Sequence, residues 1–168
     1  NPAHSGRGVE ILEDAGIEVV VGVCRNEAAS IIAPFKKFIT TGLPFITLKM
    51  AITLDGKIAD FQNQSKWISG SGSRKEVHNL RRKVDAIMVG SETIRIDNPS
   101  LLPRPSNNRM PWRVIIGSNI PLESKVFTDE SSKQTLIRSG NLEQIIRDLA
   151  SNQGIMHILC EGGGSLAT

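Results

Sequence analysis

Tyrosine is absent from the chain, and aromatic residues make up only 4% of it. A surface that stacks nucleic-acid bases needs aromatics interleaved with a concentrated basic patch. Here 20 Lys and Arg are mixed among 17 Asp and Glu, so no nucleic-acid partner is expected. The mild positive excess suits an anionic small molecule instead. Cysteine is scarce too. Cys24 and Cys160 both sit in apolar, strand-like runs, which predicts buried free thiols in a reducing compartment and a cytoplasmic protein. No apolar run approaches the ~20 residues needed to cross a bilayer, and Asn1-Pro2-Ala3-His4 has no signal-peptide character. No membrane partner is therefore expected. Zinc-deaminase chemistry needs His-x-Glu and Pro-Cys-x-x-Cys. Neither occurs, and His4, His78 and His157 are scattered, so no metal is expected. Each histidine is read as surface or as satisfied core. No Gly-x-Ser-x-Gly elbow is present either,. Asn1 is not an initiator, so the chain is expected to begin inside a longer polypeptide.

At 168 residues, the chain is long enough for one domain plus a piece of another. Ser5 to Ala15 reads as a short helix with Val9, Ile11 and Leu12 on its apolar side and Gly16 ending it. Ile17 to Val23 is β-branched and predicts a buried strand. Asn26 is placed as the cap of a second helix, which Pro34 breaks. Thr40 to Pro44 reads as a linker and a domain boundary. Phe45 to Thr53 predicts a strand, and Asp55-Gly56 a tight turn. Ser73-x-x-Glu76 has capping-box spacing ahead of a helix that buries Val77, Leu80 and Val84. Ala86 to Val89 reads as a strand, and Gly90-Ser91 opens a helix toward Arg95 that Asn98-Pro99 stops. Strands follow at Arg113 to Ile116, Thr135 to Arg138 and Ile155 to Cys160. Asn141 caps a helix carrying Leu142, Ile145, Ile146 and Leu149. Strand and helix alternate throughout, which argues for an α/β sandwich around a mostly parallel sheet.

A few residues stand out chemically. Gly162-Gly163-Gly164 follows a strand and precedes a helix start, where backbone amides approach anions closely. The run fits a dinucleotide phosphate cradle or a plain glycine turn. Glu161 stands at the carboxyl end of that strand, where α/β sheets place ligands. Lys49 interrupts an apolar strand. It either meets an anion or reaches solvent from an edge. Trp67 lies in a polar loop and can stack on a flat ring or cap the core. Arg81 and Arg104 suit a phosphate as a pair, though each alone reads as solvated.

Several stretches together resemble one family, the bacterial bifunctional riboflavin biosynthesis deaminase–reductases. The resemblance runs through Phe45 to Ala59, Ser65-Lys66-Trp67-Ile68-Ser69, Leu80-Arg81, Asp85 to Gly90, Thr93, Asp97 to Leu101 and Glu161-Gly162-Gly163. Asn1-Pro2, Gly6-Arg7-Gly8, Leu12 and Ala15-Gly16-Ile17 are similar to the end of that family's deaminase domain. The resemblance implies that residues 1–40 are a cytidine-deaminase-like tail without its zinc site. Residues 41–168 would then be a reductase domain cut at its C-terminus. It also implies a dihydrofolate-reductase-like three-layer fold lacking its last strands. The implied reaction is hydride transfer from NADPH to the ribosyl C1′ of 5-amino-6-(5-phosphoribosylamino)uracil. Ala51, Trp67, Ser69, Thr93, Asp97, Ser118, Gly163 and Gly164 would meet the cofactor. Lys49, Ser65, Arg81, Leu101, Arg104 and Glu161 would meet the substrate. Lys49 or Glu161 would supply a proton. The partners implied are this sugar-phosphate pyrimidine and further copies of the chain, joined through the reductase domain. The rival readings are a pteridine reductase of the same fold and a non-catalytic dinucleotide-binding remnant.

Overall fold

The structure, a computed structural model, describes residues 4–62, 65, 68–106 and 109–167. Three helices lead the chain: α1 (Arg7–Asp14), α2 (Arg25–Ile31) and α3 (Ala33–Thr41). Then come β1 (Phe45–Leu48), α4 (Ser71–Arg81), β2 (Ala86–Gly90), α5 (Ser91–Asp97) and β3 (Trp112–Ile116). A short α6 (Lys125–Thr128) and a 3-10 turn (Ser132–Gln134) lead to β4 (Thr135–Arg138). The last elements are α7 (Leu142–Gln153), β5 (His157–Cys160) and α8 (Gly164–Ala167).

The strands form one sheet in the order β1-β5-β2-β3-β4, and every pairing is parallel. Alternation along each strand sends successive side chains to opposite faces. Ile87, Val89, Ile115 and Leu159 enter one core with Ile94 of α5 and Val126 of α6. Ala86, Met88, Val114 and Ile158 enter a second core with Ile145 and Leu149 of α7. The result is helix, sheet, helix: the expected three-layer sandwich. Full burial of each large aliphatic contributes about 1.5–3 kcal/mol. Because all strands run the same way, their carboxyl ends share one edge, and that edge carries the site.

Several local expectations hold. Asn141 caps α7, its Oδ1 accepting from the Gln144 N–H at 3.0 Å. Asn98 ends α5, and Gly56 turns the chain with φ of +78°. Others need correction. Residues 17–22 form no strand, and Ile17, Val20, Val21 and Val23 are 51–71% exposed. A β-branched run becomes a strand only beside a partner, and no described strand pairs with it. Ile11 and Leu12 of α1 are likewise exposed. Cys24, expected buried, is exposed; Cys160 is buried, and burial pushes its thiol up from the ordinary value. The second helix starts at Arg25 with Cys24 as its cap, two residues ahead of the expected cap Asn26. Pro34 sits in the first turn of α3, where its missing donor costs nothing,. The Thr40 to Pro44 linker begins later than expected, because α3 runs through Thr41 to Gly42. β1 stops at Leu48 rather than Thr53, since its neighbour β5 ends at Cys160. The helix expected from Ser73 starts at Ser71 behind Gly70, so the Ser73–Glu76 spacing caps nothing.

Candidate active site

The end of β1 delivers Lys49 to the carboxyl edge, its N–H donating to the Cys160 carbonyl at 2.9 Å. Thr47, Lys49 and Ala51 are partly covered, while Ile46, Leu48, Met50 and Ile52 are exposed. The strand's period of two thus continues past its last ladder bond and aims Lys49 along the covered side. β5 delivers Glu161, and α4 crosses above it and delivers Arg81. The Arg81 Nε donates to Glu161 Oε1 at 2.7 Å, and Nη2 donates to Oε2 at 2.8 Å. Their side chains are 13% and 7% exposed. A bidentate pair this sheltered holds its geometry well. Arg81 Nη1 also donates to the Leu102 carbonyl at 3.3 Å, fixing the loop after α5.

Two adjoining cavities open here, of about 300 and 330 Å³. They share Lys49, Ala51, Ser65, Thr93, Asp97 and Glu161. Away from this common wall the two differ. The first continues past Ser69, Arg74, His78 and Arg81 to Leu101. It leads to a third recess, where Arg74, Arg81, Arg104 and Lys125 face the residues after α5. The second is bounded by Ile58, Ala59 and the turn Gly162-Gly163-Gly164-Ser165. One compartment is cationic, the other glycine-walled, and Lys49 and Glu161 stand between them.

The glycine turn divides its labour. At Gly162 a Cβ would fall 2.5 Å from Leu166 Cδ2 and 2.8 Å from Leu166 Cβ, so only glycine packs there. At Gly163 a Cβ would meet nothing within 4 Å. Gly163 lines the second cavity, and a side chain there would project into unfilled space.

Of the residues expected to form a site, the structure brings together Lys49, Ala51, Ser65, Ser69, Arg81, Thr93, Asp97, Leu101, Glu161, Gly163 and Gly164. Arg104 joins them through the cationic recess. Ser118 lies on an exposed turn after β3, outside these linings, where its carbonyl accepts from Arg95 at 2.8 Å. Trp67 lies outside the described residues.

Sequence reasoning missed Arg74 and His78. They share a helix face with Arg81 at i, i+4 and i+7, and that spacing was the available signal. It also missed Arg113, which is fully buried. Its guanidinium binds both oxygens of Asp129, at 2.6 and 2.9 Å, and the carbonyls of Ser100 and Val126. It thus ties the loop carrying Leu101 to the sheet. Leu101 is itself 2% exposed, with φ of +61°. His157 is satisfied, as expected, by Thr47 at 2.9 Å. His78 is not: its Nδ1 is buried and has no hydrogen-bond partner.

A parallel sheet with a cleft at its carboxyl edge, where such sheets place their ligands, defines an α/β protein. Comparison with known proteins makes this more particular. The chain belongs to the RibD C-terminal domain family, whose model matches residues 44–168. It is 40% identical to riboflavin biosynthesis protein RibD of Aquifex aeolicus over 97% of this chain and 52% of that protein. A Thermotoga maritima structure described as a diaminohydroxyphosphoribosylaminopyrimidine deaminase/5-amino-6-(5-phosphoribosylamino)uracil reductase superposes with a TM-score of 0.84 at 34% identity, covering 98% of this chain and 51% of that one. A structure of Acinetobacter baumannii RibD gives a TM-score of 0.82 at 31% identity, covering 96% and 52%. The chain thus spans about half the length of the relatives it matches. Among the described residues, no helix is long and apolar enough to cross a membrane.

Proposed function

We propose that this chain carries the reductase half of a riboflavin-pathway enzyme and reduces the ribosyl C1′ of 5-amino-6-(5-phosphoribosylamino)uracil. The observation that carries the reading is the divided cleft: a glycine-walled compartment and a cationic one meeting at Lys49 and Glu161. The reaction needs two anionic ligands held face to face, and the cleft offers one compartment to each. Family membership and the Thermotoga relative's description support the same substrate.

The dinucleotide fits the glycine compartment. Gly163, Gly164 and Ser165 would lie along its phosphates, because all three line this cavity and glycine lets a ligand approach the backbone closely,. Thr93, Asp97 and Ala51 would flank its reactive ring at the shared wall. NADPH, when bound, supplies the hydride. The protein's own groups do the rest. Arg104 and Arg81 hold the sugar phosphate on the cationic side. The furanose ring opens as the C1′–O4′ bond breaks, the nitrogen giving up its proton to O4′ as the C1′=N bond forms. C1′ would then gain the hydride, and the nitrogen would regain a proton. Both oxygens of Glu161 already accept from Arg81, so Glu161 positions and Lys49 donates. Lys49 is free for that work, forming no ion pair among the described residues. Residues 1–40 are read as the end of a deaminase-like domain. The family match beginning at residue 44 supports that division.

Steady-state NADPH oxidation by the full-length protein tests the reading. Substrate-dependent turnover is expected, falling about 10²- to 10⁴-fold in Lys49→Ala, with NADPH affinity nearly unchanged. Equal loss of turnover and NADPH affinity contradicts Lys49's role. Absence of turnover with the intact protein contradicts the function. Faster oxidation with a pteridine substrate favours the same fold put to another use.

A further inference from the structure

His78 is the unexplained group in the cleft. It stands on α4 one turn from both Arg74 and Arg81 and lines both the first cavity and the cationic recess. Its Nδ1 is shut from solvent without a partner. Such an atom is costly in a finished site and calls for an explanation.

Its charged surroundings are lopsided. With it along the recess lie Arg74 and Arg81 of its own helix, Asp97 at the end of α5 and Arg104 of the loop that follows. Lys125 approaches from α6, and Lys49 and Glu161 from the ends of β1 and β5. Five cations and two carboxylates thus line the cavities it borders, and of these Arg81, Arg104 and Glu161 act on the ring itself. Burial, then Arg81 and Arg104, hold the imidazole below its ordinary value, against the pull of the Leu102 carbonyl and Glu161. The ring is therefore neutral near neutrality while the recess carries surplus positive charge. A bound dianion would cancel that surplus, and a protonated ring would offer it another donor.

We propose that His78 is a proton-linked member of the anion compartment, taking up one proton from solvent when a phosphate group seats beside Arg81 and Arg104 and returning it when the group leaves. This rests on the reading that the compartment holds the substrate's phosphate. It adds a titrating group to a recess otherwise built of fixed charges. The sign follows directly. A ring bound more tightly to its proton in the complex than in the free protein makes anion affinity rise as pH falls.

Inorganic sulfate is the probe, because it stays a dianion from about pH 5.5 to about pH 8, where histidine titrates. Calorimetric titration of sulfate into the full-length protein, in buffers of different ionisation enthalpy, reads affinity and proton uptake together. Wild type is expected to bind several-fold more tightly at the acid end, by at most about tenfold per pH unit for one proton, with measurable uptake. His78→Gln is expected to bind sulfate with flat affinity and no uptake, and a thermal melt checks that it is folded. If that variant does not fold, the wild-type imidazole resonance followed by NMR with and without sulfate gives the same answer, through a raised titration midpoint. Sulfate binding that Arg104→Ala weakens but that is pH-independent in wild type, or unchanged in pH dependence in His78→Gln, overturns the proposal and leaves the compartment reading standing. Sulfate binding indifferent to Arg104→Ala removes the compartment reading and the proposal with it.

Discussion

Two bidentate arginine–carboxylate pairs stand on the same side of the sheet, and they differ in what surrounds them. Arg113 of β3 is fully buried, and besides Asp129 it serves the carbonyls of Ser100 and Val126. Every contact it makes is with protein that must be in place for the fold to close. Arg81 and Glu161 are nearly as sheltered, at 13% and 7% exposure, yet they line a cavity. Their pair ends in open space shaped for something else. The geometry of the bond is the same in both. What differs is what the pair borders: Arg113 is enclosed between the sheet and the loops it ties down, while Arg81 and Glu161 line a cavity. A buried ion pair facing only protein is architecture. On the function proposed above, one facing a cleft beside Lys49 is a preorganised binding surface.

The comparison breaks most readily at Arg113. Arg113→Met removes a fully buried cation from the partly exposed Asp129 and from two carbonyls, so stability is expected to fall by about 3 kcal/mol in chemical denaturation. The substrate KM of the molecules that remain folded should change little. A variant of unchanged stability but raised KM would move Arg113 into the site and erase the contrast. Glu161→Ala should do the opposite. Turnover per KM is expected to drop about ten- to a hundredfold, the worth of a lost charge-assisted contact, while stability falls by less than in Arg113→Met. A Glu161 variant that unfolds before it loses substrate affinity would make both pairs structural.

Much of this was legible in the chain. Residues 86–89 and 135–138 read as strands because each is short, has an apolar centre and is followed by turn residues, and the structure extends the first only to Gly90. The cap at Asn141 and the glycine turn after Cys160 follow from backbone chemistry that sequence states directly. The site was legible as a set of residues, since Lys49, Arg81 and Glu161 do line one cavity. What sequence does not state is company. Ile17 to Val23 has a strand's composition and no strand beside it. Arg113 looks like a polar residue at a strand's start until Asp129, sixteen positions on, is seen closing over it. Cys24 sits in an apolar run that turns out to be exposed. His78 passes for ordinary core because the cations around it come from α4, the loop after α5 and α6, which only the fold assembles. Gly162 and Gly163 look alike in sequence and are separated only by Leu166.

Simultaneous occupancy is the decisive property of a cleft divided at Lys49 and Glu161. Calorimetric titration of NADPH into the full-length protein, alone and then saturated with ribose 5-phosphate, measures it directly. The account predicts that the sugar phosphate leaves NADPH affinity equal or improved, both ligands sitting in one molecule at once. If ribose 5-phosphate instead displaces NADPH competitively, the two compartments are a single site and the account is wrong.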